Sequence, residues 1–373
     1  MTRPRVRSTS TAAAVPVLML ALVLTGCGDD PGNEPSEATR TASASTVASD
    51  DDALAAADLV TDLDSPWGLV PLDDGSLLIG SRNTGTISLL APDASTPVEV
   101  ASLDVRAEGE SGLLGLAVTD DESMLYVYYT TDDDSRVVKM PWDGADLGDP
   151  SVVVEGIPGG ETFHQGGALA IGPDGLLYVA TGDNGDPSSA QDLDSWSGKV
   201  LRFALDGSAA TDNVLESGVY SYGHRNVEGL AFDDEGRLWA SEFGQDAWDE
   251  VNLVRNGANY GWPEVEGTGG AEQYDDPVAV WRTEDASPSG LTYWEGSLWM
   301  ASLRGQTLWE IPLADASAPA SVSEPVAHLA GEHGRLRNVV VATGGDALLL
   351  ATSNTDGRGD PAADDDRLLR LSR

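Results

Sequence analysis

The chain has 373 residues, enough for one large domain or two ordinary ones. Its 62 acidic residues against 21 basic ones give a formal charge of -41, and Lys139 and Lys199 are its only lysines. Such a surface repels phosphate backbones and excludes nucleic acid as a partner, so an anionic ligand must be gripped by locally gathered arginine or by a metal.

The first element is a targeting segment. Arg3, Arg5 and Arg7 precede an apolar stretch from Ala12 to Thr25 that is short for a membrane span. It ends in Leu24-Thr25-Gly26-Cys27, which resembles a bacterial lipobox, and Cys27 is the only cysteine. Residues 1–26 therefore read as a lipoprotein signal peptide and Cys27 as the lipidated residue. The expected location is the outer side of the cytoplasmic membrane, held by the lipid anchor alone. Residues 27–58, rich in Ser, Thr, Ala, Pro and Asp, read as a disordered spacer that cannot bury a core.

From Leu59 onward one pattern repeats six times: a Gly-Leu strand, an acidic or glycine turn, then a strand of Leu-Tyr-Val type. The copies begin at Trp67-Gly68-Leu69, Leu114-Gly115-Leu116, Gly167-Ala168-Leu169, Glu228-Gly229-Leu230, Ser289-Gly290-Leu291 and Val339-Val340-Val341. Gly68 to Gly115 is 47 residues and Gly167 to Gly229 is 62, a spacing that suits a blade of four antiparallel strands. Helical periodicity is nearly absent. The expectation is an all-β, six-bladed β-propeller over residues 59–373, with the Gly-Leu strands innermost and a ligand at one mouth of the channel.

Residues entering those strands are the candidates for chemistry. His164, in Thr162-Phe163-His164-Gln165-Gly166-Gly167, is a candidate general base, and Asp183 in the next loop could orient its imidazole. On residue types alone that pair is equally readable as a structural hydrogen bond. His224, His328 and His333 read as structural or loop residues. Arg225, Arg304 and the pair Arg335 and Arg337 fall in loops or strand starts of three different repeats and together suggest a polyanionic ligand. Gly244 and Gln245 could offer carbonyls to a hard cation, with Asp246, Asp249, Glu250 and Tyr260 as further oxygens; a solvated acidic loop explains the same residues.

In this order the motifs resemble the glucose/sorbosone dehydrogenase family, the soluble PQQ-dependent aldose sugar dehydrogenases. The likeness rests on Ser65-Pro66-Trp67-Gly68-Leu69, Gly112-Leu113-Leu114-Gly115, His164-Gln165-Gly166-Gly167, Tyr222-Gly223-His224-Arg225-Asn226, Asn259-Tyr260-Gly261-Trp262-Pro263 and Gly334-Arg335-Leu336-Arg337. It implies a six-bladed propeller that oxidises the C1 hydroxyl of aldoses to lactones, with PQQ and Ca2+ as cofactors and electrons passed to a quinone, a cytochrome or a dye. By the same resemblance His164 is the base and Asp183 its support. Arg225, Asn226, Arg304, Arg335 and Arg337 contact the quinone, Gly244 and Gln245 bind calcium, and Glu250 and Tyr260 match a second calcium site. Glu110 is a further cofactor-contact position by the resemblance, standing where the family often has glutamine, so that its carboxylate would repel the quinone unless protonated or turned to calcium; Ala168 stands where arginine is common. Two other classes compete: a metal-dependent propeller lactonase or hydrolase, and a non-catalytic envelope binding protein that has lost the cofactor.

Overall fold

Strand-forming runs separated by Asp/Gly turns close into six four-stranded antiparallel sheets in the computed structural model, which describes residues 46–47, 53–160, 163–215, 218–314 and 321–373. The signal peptide and Cys27 lie outside the described residues. The innermost strands are Pro66–Pro71, Leu113–Val118, Gly166–Ile171, Val227–Phe232, Pro288–Trp294 and Leu336–Val341. Each packs against the next and the sixth against the first, so the ring is closed. The six-bladed propeller expected from the repeat is the fold found.

The Gly-Leu pair has a packing reason. A Cβ on Gly115 would lie 2.2 Å from the Gly167 carbonyl oxygen, and one on Gly229 would lie 2.5 Å from that of Ser289. Neighbouring innermost strands converge too closely at these positions for a side chain on both; where the sixth blade has Asn338, its neighbour is Gly290, whose Cβ would lie 2.1 Å from the Asn338 amide oxygen. The hydrophobic core is correspondingly divided into six clusters, one between each pair of adjacent blades. Trp239, Trp281, Trp299, Tyr126 and Tyr128 are its largest fully buried members. A two-sheet sandwich has one core and would not produce this division.

Closure differs from the expectation in one respect. Ala55–Val60 forms the outer strand of the sixth blade, paired antiparallel to Leu368–Ser372, although residues 27–58 read as spacer. Its first four residues are exposed, so its composition resembles a linker; backbone pairing, not apolar periodicity, makes it a strand. Thr46–Val47 also adds in parallel to Val326–His328 at the outer edge of the fifth blade.

In every blade the start of the innermost strand pairs with the end of the second: Gly166 with Thr181, Val227 with Glu242, Leu336 with Thr352. One mouth of the channel is therefore built from two loop classes, those entering innermost strands and those leaving second strands. All six innermost strands also carry a register shift near that mouth. Such bulges re-aim side chains, here over the channel.

Candidate active site

Two loops of the third blade bring His164 and Asp183 together. His164 Nδ1 lies 2.7 Å from Asp183 Oδ1, with the imidazole 16% exposed and the carboxylate fully buried. Asp183 is fixed in turn, accepting from Gly185 N at 2.9 Å and from Trp262 Nε1 at 2.9 Å. Burial alone would raise its pKa, but the hydrogen bond and charge of His164, with the Gly185 and Trp262 donors, hold it below the ordinary carboxylate range. A carboxylate at Nδ1 keeps the proton there and turns the Nε2 lone pair outward. His164 also has φ 60°, a left-handed conformation costly for a residue with a side chain and held only where surroundings dictate it.

His164 lines a cavity of about 430 Å³ at the channel mouth, together with Glu110, Arg225, Asn226, Gly244, Asp249, Arg304, Arg335 and Arg358. Four guanidinium groups thus converge in a strongly acidic chain. Arg225 lies over the Trp262 ring at 5.4 Å and donates through Nη1 to the Phe243 carbonyl at 3.3 Å, while its buried Nε has no partner. A buried donor left unpaired is costly unless a ligand meets it. Arg335 is held by Asp356, with Nη2 at 2.8 Å and Nε at 3.1 Å, and Arg304 stands exposed at the rim.

Other predicted contacts lie elsewhere. Arg337 is one layer below the cavity wall, bonded to Glu228 Oε2 at 2.7 Å and to Ser289 Oγ at 3.3 Å. Buried Glu228 needs that counter-charge, because desolvation pushes its carboxyl up and Arg337 opposes the push. Asn226 reaches the cavity wall, but its amide accepts from Gly166 N at 2.9 Å and donates to Glu228 at 3.2 Å. It shapes the His164 loop rather than offering a free group. His224 is fully buried between Ser221 and Glu242, each at 2.8 Å, and stacks on Tyr260. His328 is paired with Glu310 at 3.0 Å, so both read correctly as structural.

The cation expectation divides in two. Backbone N–H groups of Gln245, Asp246, Ala247 and Trp248 all donate to Glu266 Oε1, at 2.8, 3.1, 2.8 and 2.9 Å. In a trans peptide the carbonyl points opposite to the N–H, so the Gly244 and Gln245 carbonyls both face away from Glu266. Gly244 lines the cavity, so its carbonyl is a candidate oxygen for a hard cation beside an anionic ligand, with that of Gln245 next to it in the chain. Gly244 N donates to Asp249 Oδ1 at 2.9 Å, and burial pushes the Asp249 carboxyl up to about 7.

In the second set the hydroxyl oxygen is already committed, while Glu250 and Tyr260 do line one small cavity with Glu242 and Glu266. The Tyr260 hydroxyl donates to the Leu253 carbonyl at 2.6 Å and accepts from Arg255 N at 3.0 Å, so it is not turned to Glu250. Glu250 is held by Gly267 N and Asn252, and burial beside Glu242 pushes its carboxyl up to about 8. Among the described residues no group of three or more His, Cys, Asp or Glu is arranged to hold a metal ion.

Residue-type reasoning missed Arg358, Trp262, Phe243 and Glu266. Arg358 carried a signal in Asp356-Gly357-Arg358-Gly359, a glycine-flanked loop after a second strand, the same class that supplies Asp183 and Arg304.

A propeller mouth with an Asp-supported histidine over an arginine-lined cavity defines a class suited to proton abstraction beside a bound anion. The family model for Glucose / Sorbosone dehydrogenase matches residues 63–370, and the chain belongs to that family. Among solved structures, the PQQ-bound form of aldose sugar dehydrogenase from Streptomyces coelicolor is 49% identical. It covers 86% of this chain and 98% of that one, with a TM-score of 0.81. An oxidoreductase described as a glucose dehydrogenase from Thermus thermophilus is 40% identical over 85% of this chain and 99% of that one, TM-score 0.80. Quinoprotein glucose dehydrogenase B of Acinetobacter calcoaceticus is 33% identical over 56% of this chain and 52% of that protein.

Proposed function

We propose that the protein is a PQQ- and calcium-dependent dehydrogenase that oxidises the anomeric hydroxyl of aldoses to lactones. The observation that carries this reading is the His164–Asp183 pair opening on a cavity with four guanidinium groups, one of them with an unpartnered buried donor. Arg225, Arg304 and Arg335 would hold the three carboxylates of PQQ, and the carbonyls of Gly244 and Gln245 would hold calcium beside it. When bound there, the quinone supplies the acceptor for hydride leaving C1, with calcium stabilising the charge that develops.

The chain's own part is positional and acid–base. His164 Nε2 takes the proton of the C1 hydroxyl as the C1–H bond breaks and C1=O forms. The buried Asp183 carboxylate stabilises the resulting imidazolium and prevents the ring from turning. Neither competing class needs this set: a metal-dependent hydrolase needs axial carboxylates on the metal, and a binding protein needs no oriented base. The Streptomyces relative in its PQQ-bound form supports the cofactor reading.

The test is reconstitution of purified protein with PQQ and calcium, followed by dye reduction with a panel of aldoses. Turnover that requires both additions is expected; a folded protein inactive on every aldose would sink the reading. We further infer from residues 1–58 an exported lipoprotein anchored through Cys27, with a membrane quinone or cytochrome as electron acceptor. Labelling with a radioactive fatty acid that is absent from Cys27→Ala checks the anchor.

A further inference from the structure

Glu110 sets a carboxylate in a cavity otherwise suited to an anion, and its two oxygens are divided. Oε2 accepts the His164 backbone N–H at 2.7 Å, and Oε1 accepts Arg358 Nη1 at 2.8 Å. Both residues line the cavity, Glu110 with its side chain 16% exposed and Arg358 56%. Arg358 is also steered from its own backbone, whose N–H donates to Asp356 Oδ1 at 2.9 Å. Asp356 Oδ2 holds Arg335, so one acid sets out two guanidinium groups along one wall. An ion pair as exposed as Arg358–Glu110 contributes little to stability. Its use lies in the cavity.

We propose that Arg358 is a further anion-binding residue of this site and Glu110 a positioning residue for His164, their charges matched so that the carboxylate does not repel the ligand. The inference rests on the PQQ reading above and concerns the carboxylates of that ligand. An amide at position 110 cannot keep both contacts. Its single oxygen accepts from His164 or from Arg358, and its NH2 group then confronts the other donor. A carboxylate accepts from both, at the cost of a negative charge that Arg358 offsets. The left-handed His164 backbone is then held by an acceptor that remains compatible with an anionic ligand.

The experiment is calorimetric titration of PQQ, with calcium present, into the wild type, Arg358→Met, Glu110→Gln and the double variant. Arg358→Met is expected to weaken binding about ten- to a hundredfold while Glu110 is present. In the Glu110→Gln background the same change should still weaken binding, but by a clearly smaller factor, because the lost contact is no longer compounded by an unpaired carboxylate facing the ligand. Glu110→Gln alone should bind PQQ no worse than the wild type. At saturating PQQ it should lose kcat with the sugar KM little changed, as displacement of His164 requires. An Arg358→Met effect that is absent, or equal in both backgrounds, overturns the inference while leaving PQQ binding intact. A folded wild-type protein that takes up no PQQ removes the underlying reading and this inference with it.

Discussion

At the scale of single residues, the site depends on how tightly His164 is placed. Its backbone is left-handed, its Nδ1 is held by Asp183, and its carbonyl accepts from Asn184 N at 3.2 Å. His164→Ala should lower kcat by about 10²–10⁴ while PQQ still binds with near wild-type affinity. Single-turnover kinetics on the loaded variant separate the two effects, and persistent turnover would reassign the base. Gly182→Ala should act at a distance from the chemistry. Its Cβ would lie 2.0 Å from the His164 carbonyl oxygen and 2.8 Å from Asn226 Oδ1, so the loop must shift. A fall in kcat without loss of bound PQQ is expected; an unchanged kcat would show that the loop tolerates displacement. His164, Asp183, Arg225 and Arg335 were legible in the sequence because they sit beside the strands that define the repeat. Arg337 was misplaced for a physical reason: two residues after Arg335 it shares that residue's strand phase, but a bulge between Leu336 and Asn338 breaks the alternation.

At the scale of elements, the turn at Gly244–Trp248 is organised by an acid from outside it. Glu266 Oε1 gathers four backbone donors, so Glu266→Ala would leave those N–H groups without their acceptor, at about 1–3 kcal/mol for each one that water cannot reach. Loss of the carboxylate should also release the carbonyls of Gly244 and Gln245 from their shared direction. The expected outcome is weaker calcium binding: half-maximal reactivation of the stripped enzyme moves to higher calcium, by about tenfold or more, on the order of one such donor set. An unchanged calcium titration would mean that the turn is held by the blade alone. Glu266 was not readable in advance because it lies about twenty residues from the donors it serves, and nothing in spacing links them. The blades were readable from the repeated strand-turn-strand pattern, marked in four of the six innermost strands by a Gly-Leu pair where neighbours converge. The strand Ala55–Val60 was not, because only its last residue, Val60, is buried.

At the scale of the whole molecule, a closed ring must hold together under a formal charge of -41. Self-repulsion of that size weakens the compact state, and salt screens it over about 8–10 Å at physiological ionic strength. The melting temperature at neutral pH should therefore rise with added sodium chloride. Acid acts through two opposed effects. Asp249 and Glu250, whose carboxyls burial pushes up to about 7 and about 8, are protonated in the fold before they are in the unfolded chain, which favours the fold as pH falls from neutrality. Asp183 and Asp356 act the other way. Burial opposes their ionisation, but the His164 contacts on Asp183 and the Arg335 charge on Asp356 hold both below their ordinary range. A carboxylate whose folded pKa is depressed stabilises the fold fully above its unfolded pKa, about 4, and that stability is lost as pH falls through the lower folded value. Stability should accordingly climb from pH 7 toward about 5 and fall below about 4. Asp356→Asn should flatten the acid limb, because the depressed group that titrates there is gone, and lower the plateau, because Arg335 is left buried without its partner. Thermal melts across pH 3 to 7, with and without salt, read all of this; a melting temperature indifferent to salt at neutral pH would show that repulsion is already locally compensated by the ion pairs of the arginine-rich mouth.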